Sequence, residues 1–224
     1  GMLLNEAMAA RSQVGFLTSQ AGIAVAEDNL DLAMVLFDEA LQICNRHPNE
    51  LINDKLFILL HLSTAHAKNA DMGKARDALI SIVSAYDSDI QPEDLSLLSM
   101  ASFMAAMFGE LDVAADGVNL WYQRYSFSDY DPDTEIFIDL AEAYLSFLNE
   151  DLETARLALE RAPEDSVMAP MLDPLMRAIK SITLAAEGDH EKAYETAASS
   201  GFQTERSASR GISEQMAAGR VKRD

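Results

Sequence analysis

The 224-residue sequence predicts an all-α protein made of about five helix-turn-helix units of about 40 residues each. Three observations carry this reading. A short pattern recurs five times, each recurrence follows a stretch rich in good helix formers, and prolines and acids stand where first helical turns begin.

The pattern is NLDLA at 29–33, DMGKA at 71–75, ELDVA at 110–114, DLETA at 151–155 and DHEKA at 189–193. Its alanines, Ala33, Ala75, Ala114, Ala155 and Ala193, are spaced by 42, 39, 41 and 38 residues. The Asn, Asp or Glu at the head accepts from, or sits near, the free N–H groups of a starting helix, with Glu110 the weakest capping type. A helix is therefore expected to start at each site. Ahead of the five sites lie VGFLTSQAGIAVAE, LFILLHLSTAHAKN, LSLLSMASFMAAMFG, EIFIDLAEAYLSFLNE and LMRAIKSITLAAEG, which lack the alternation of strands. Pro48, Pro92, the run Asp131-Pro132-Asp133 and the pair Asp173-Pro174 suit first turns, and Pro170 and Pro174 are expected to keep residues 163–173 out of a long helix.

Composition excludes several classes. With 49% hydrophobic residues the chain can bury a core, about 70% of the surface it exposes when unfolded. No run of eighteen apolar residues is free of charge, which argues against a membrane span. A net charge of −20 argues against nucleic acid. Residues 199–224 hold Arg206, Arg210, Arg220, Lys222 and Arg223 against Glu205, Glu214 and Asp224, a net of +2 that leaves −22 for the body. The expected organisation is a helical domain over 1–198 and a polar, basic capping helix or tail over 199–224. Cys44 is the single cysteine, so no internal disulfide or CxxC site exists. Gly1 before Met2 reads as a tag scar followed by a native start, no secretory leader is recognisable, and the cytoplasm is the expected compartment.

The repeats resemble the tetratricopeptide repeat family. In that motif a small residue marks the crossing of two helices, a large residue follows four positions on and another small one three later. Ala33, Phe37 and Ala40 match, as do Ala155, Leu159 and Ala162 with Pro163; Ala75, Leu79 and Ile82 match in part; Ala114, Val118 and Trp121, and Ala193, Ala197 and Ser200, are degenerate. Gly109 and Gly188 occupy the family's turn glycine, which Asp28, Ala70 and Glu150 replace. The resemblance covers roughly residues 10–200 and implies a right-handed α-α superhelix, with units longer than the family's 34 residues.

What the resemblance implies for function is binding of a protein or peptide along the concave face built from the first helix of each pair. Carried over, the lining positions are Phe57, Leu60, Thr64 and Lys68, then Phe103 and Met107, then Phe137, Tyr144 and Phe147. Family members that clamp a C-terminal carboxylate use Lys, Arg and Asn there, and Lys68 alone matches. Three readings of this apolar stripe stand open. It takes a hydrophobic segment of another protein, as in chaperones of bacterial secretion systems with this repeat. It is covered by the chain's own tail through Phe202, Ile212 and Met216. Or it is simply interior.

WYQRYSFSDY at 121–130 gathers five of the sixteen aromatics around Arg124. Trp121 takes a position where a small residue is expected, so it either splays two units or fills a gap between them. Arg124 and Tyr125 are candidate partner contacts; aromatic packing at a helix junction is the blander alternative. SDYDPDTE resembles a calcium loop, but counting from Asp129 the sixth and twelfth positions are Thr134 and Leu140, not Gly and Glu, and helix capping by Asp131 explains it better. GxxxxGK, GxGxxG, HExxH and GxSxG are absent, and His61 and His66 are five apart, on different faces. The expected function is a non-catalytic adaptor, scaffold or chaperone without cofactor or metal; the alternative is a self-associating structural or regulatory subunit, and a homo-oligomer is compatible with either.

Overall fold

The computed structural model describes residues 2–88, 94–125, 131–163 and 165–199. Among these residues there are ten α-helices and no strand. They are α1 (Met2–Ala26), α2 (Leu30–Cys44), α3 (Ile52–Lys68), α4 (Met72–Tyr86), α5 (Ser96–Phe108), α6 (Leu111–Arg124), α7 (Pro132–Leu148), α8 (Leu152–Arg161), α9 (Ala169–Ala186) and α10 (His190–Ser199). The basic segment 200–224, Pro92, Phe127 and Tyr130 lie outside the described residues.

A single turn geometry occurs at all five pattern sites. Asp28, Ala70, Gly109, Glu150 and Gly188 adopt φ of 59°, 59°, 81°, 64° and 90°, in the left-handed region. The following residue then turns its N–H back to a carbonyl five positions earlier: Asn29 to Ala24 at 2.8 Å, and Asp71 to His66, Glu110 to Ala105, Asp151 to Ser146 and Asp189 to Leu184 at 2.9 Å. This closes the old helix and opens the new one within three residues. Asn29, Asp71, Asp151 and Asp189 accept the N–H of Leu32, Lys74, Thr154 and Lys192 at 3.1–3.3 Å. Glu110 makes no such cap. Its carboxylate binds Arg76 of α4 at 2.6 Å instead, and the same guanidinium reaches Asp112 at 2.6 Å.

The short turns fold consecutive helices against each other, so the most extensive contacts are α1 with α2, α3 with α4, α5 with α6 and α9 with α10. Ala33, Ala75, Ala114 and Ala155 are wholly buried and Ala193 is 6% exposed. The α5–α6 pair has a second close contact at Gly117, packed on Ser102.

The chain divides into two compact units, Gly1–Ala141 and Glu142–Asp224, with the boundary inside α7. In the first, Phe37, Leu56, Ile58, Leu79, Ile82, Tyr86, Leu98, Ile136 and Leu140 are almost fully buried. Each such side chain contributes roughly 1.5–3 kcal/mol by leaving water. The interior of the second is built mainly from small residues, Ala143, Ala155, Ala158 and Ala193, with Ile179.

The prolines divide in behaviour. Pro132 opens α7, where Asp131 accepts the Asp133 N–H at 3.1 Å and the Thr134 hydroxyl at 2.6 Å. Pro174, expected in a first turn, lies inside α9, and the helix starts at Ala169. The carbonyl that Pro174 leaves without its helical donor is that of Pro170, itself in the first turn, so the interruption costs one terminal bond rather than breaking the helix.

Candidate functional site

Helix α1 presents small residues, Gly15, Thr18, Ser19 and Gly22, along the side facing α3. Because these leave the backbones without bulk between them, an open groove of about 420 Å3 remains between the helices, floored by Phe37 of α2 and edged by Phe57, His61 and Asp54 of α3. Arg11 of α1 spans one end, its Nε 3.3 Å from the Asp54 carboxylate, with a second bond to the Glu50 carbonyl.

His61 sits between two rings. It stacks on Phe37 with centroids 5.7 Å apart and planes 10° from parallel, and meets the edge of Phe57 at 4.4 Å. Burial disfavours the charged imidazolium and lowers its pKa below the ordinary histidine value. The groove is thus walled by aromatic surface and a neutral imidazole near neutral pH, with Asp54 as its acidic end.

The lining positions expected on α3 separate on inspection. Phe57 is 43% exposed, Thr64 half-buried and Lys68 exposed, whereas Leu60 is 4% exposed. Leu60 therefore leaves the accessible stripe, and His61 takes its place: 57, 61, 64 and 68 fall on one helical line, while 60 turns into the interior with Leu56 and Ser63. The same spacing is present in the sequence, where His61 stands four residues after Phe57 and three before Thr64. On α5, Met107 is 44% exposed and Phe103 is half-buried, its ring 5.5 Å from Phe137 of α7. Phe137, at 7%, is core rather than lining, because Ile136, Phe137, Ile138 and Leu140 of α7 all point into packed surroundings. Tyr144 and Phe147, half-buried, belong to the second unit.

Of the aromatic run, Trp121 is packed and Tyr125 half-buried, while Tyr122 is 45% exposed. Trp121, 3% exposed, stacks on Tyr125 at 4.2 Å and 19° and meets Tyr122 edge-on at 5.3 Å. The Tyr125 hydroxyl donates to the Glu135 carboxylate, and the Arg124 guanidinium lies 5.3 Å over the Tyr86 ring. Arg124 and Tyr125 are half-buried beside a pocket of about 240 Å3 that is separate from the α1–α3 groove. The second unit has an open cleft of about 850 Å3 holding the Asp173–Arg177 ion pair, Lys180 and Thr196.

Comparison with family models, with curated proteins and with solved structures found no match for this chain. Among the described residues no group of three or more His, Cys, Asp or Glu is placed to hold a metal ion, and no helix is long and apolar enough to cross a membrane. Cys44 is buried, and burial pushes its thiol up to about 11, away from the thiolate that nucleophilic chemistry needs.

Proposed function

We propose that the chain is a non-catalytic interaction module of the tetratricopeptide type, a right-handed superhelix of helix pairs that holds a segment of another protein in the groove between α1 and α3. One observation carries the reading. An aromatic-walled groove of a volume suited to a few side chains opens beside a row of two exposed and two half-buried residues, Phe57 and Lys68 with His61 and Thr64, on a first helix of a pair. The five identical turns and the buried alanines support the repeat architecture. The chain's charge of −20 favours a segment with an apolar anchor flanked by Lys or Arg, and disfavours an acidic one.

Selection of random displayed peptides on the intact protein tests this. Enriched peptides are expected to share an aromatic or aliphatic anchor with neighbouring basic residues, and to bind Phe57→Glu at least tenfold more weakly. Failure to enrich any sequence, or equal binding to Phe57→Glu, overturns the reading.

A further inference from the structure

Helix α1 is apolar on two opposite sides. One side carries Ala10, Val14, Leu17, Ala21 and Ala24, all buried. On the other, Met8, Phe16 and Ile23 are 65%, 65% and 52% exposed. With Ser12 and Ser19 they form a row at steps of four, four, three and four residues, near the helical period, so the row runs along the helix for about 22 Å. The Ser12 and Ser19 hydroxyls donate to the Met8 and Gly15 carbonyls of their own helix at 3.1 and 2.9 Å, which leaves the row with satisfied donors. A helix facing water on that side is expected to carry polar residues there, so this pattern belongs to a helix packed on both sides.

Charge selects the occupant. The chain has 37 acidic against 17 basic residues, so two copies approaching at an ordinary part of the surface repel. Residues 7–26, however, contain a single charged side chain, Arg11, and it is engaged with Asp54. Within residues 7–26 a second copy meets no carboxylate and a basic partner finds none; the nearest, Glu6 and Glu27, lie beyond the two ends of the Met8–Ile23 row. The row is also self-complementary: Met8 and Ile23 lie eight and seven residues either side of Phe16. An antiparallel copy related by a two-fold axis through Phe16 sets Met8 against the partner's Ile23.

We infer that the outer side of α1 is a homodimer interface, antiparallel and centred on Phe16. The row shares Ser19 with the rim of the groove, but Met8, Phe16 and Ile23 do not line the groove, so the two sites are tested by separate variants. One helix face lies at the small end of the interface range, so the dimer is weak and concentration-dependent.

Light scattering on the eluting protein across a dilution series from low to high micromolar tests the inference. The mass is expected to rise toward twice the monomer's, to stay monomeric in Phe16→Glu with an unchanged melting temperature, and to rise as in wild type in the groove variant Phe57→Glu. Oxidative cross-linking fixes the geometry, since Cys44 is buried and silent. Phe16→Cys is expected to form a disulfide-linked dimer, Met8→Cys not, and Met8→Cys with Ile23→Cys to do so again. A wild-type monomer at the highest concentration, or undiminished association of Phe16→Glu, overturns the interface; self-linking of Met8→Cys overturns its antiparallel order.

Discussion

Gly117 of α6 stands so close to Ser102 of α5 that a Cβ built on it would lie 2.2 Å from the Ser102 Oγ and 3.1 Å from its Cβ. The hydroxyl has little freedom to yield, because it is wholly buried and donates to the Leu98 carbonyl at 2.7 Å. Gly117→Ala is therefore expected to destabilise by about 1–3 kcal/mol, despite the better helix propensity of alanine. For a chain of this size the melting temperature falls by about 2–4 °C per kcal/mol. Adding Ser102→Ala removes the obstructing oxygen and restores part of the loss. A single variant as stable as wild type sinks this account of the α5–α6 crossing.

Ala155 is wholly buried at the start of α8. Ala155→Trp forces a large ring into filled space, at a cost of about 1–3 kcal/mol or more, so thermal unfolding moves clearly downward. An unchanged midpoint excludes the small-residue role assigned to the five alanines.

Ala70 holds φ of 59° with no polar side chain to compensate. Ala70→Gly relieves about 1–2 kcal/mol of strain and adds up to about 1 kcal/mol of unfolded-state entropy. A small net rise in stability is expected in denaturant titration, and a loss contradicts the left-handed turn.

Leu60 and Phe57, one turn apart on α3, are core and lining respectively. Leu60→Ala is expected to cost about 2–5 kcal/mol. Phe57→Ala is expected to cost well under half of that, and similar losses in equilibrium unfolding would show that the groove is closed core.

His61 has its pKa lowered by burial, so the folded state prefers the neutral ring. The unfolded chain binds a proton there at higher pH than the folded one does. Stability is thus full above the ordinary histidine pKa of about 6.5 and declines as pH falls toward the lowered folded value, by about 1.4 kcal/mol per unit of depression. Melts at neutral and mildly acidic pH are expected to show a smaller decline for His61→Leu than for wild type, and equal declines remove His61 as the cause.

The turns at the five pattern sites were legible because their signals are local. A capping side chain, a left-handed residue and an alanine at fixed offsets satisfy helix ends within a few residues, and this holds at Asn29, Asp71, Asp151 and Asp189 alike. Pro174 misled because the effect of a proline depends on which carbonyl it deprives, and that requires knowing where α9 starts. The stripe was partly legible: Phe57, Thr64 and Lys68 are accessible, Leu60 and Phe137 are not. Helical spacing alone cannot separate a lining residue from its neighbour when a helix packs on more than one side.

By itself, the sequence determined that the chain is helical and where its turns fall, since capping and propensity act over a few residues. Tertiary structure alone decided which apolar residues face water. Gly15 and Gly22 of α1 open a groove only because Phe37 lies beneath them and Phe57 beside them, and Phe16 is exposed only because Val14 and Leu17 have turned the other side of the helix inward. Burial depends on neighbours that are distant in the chain.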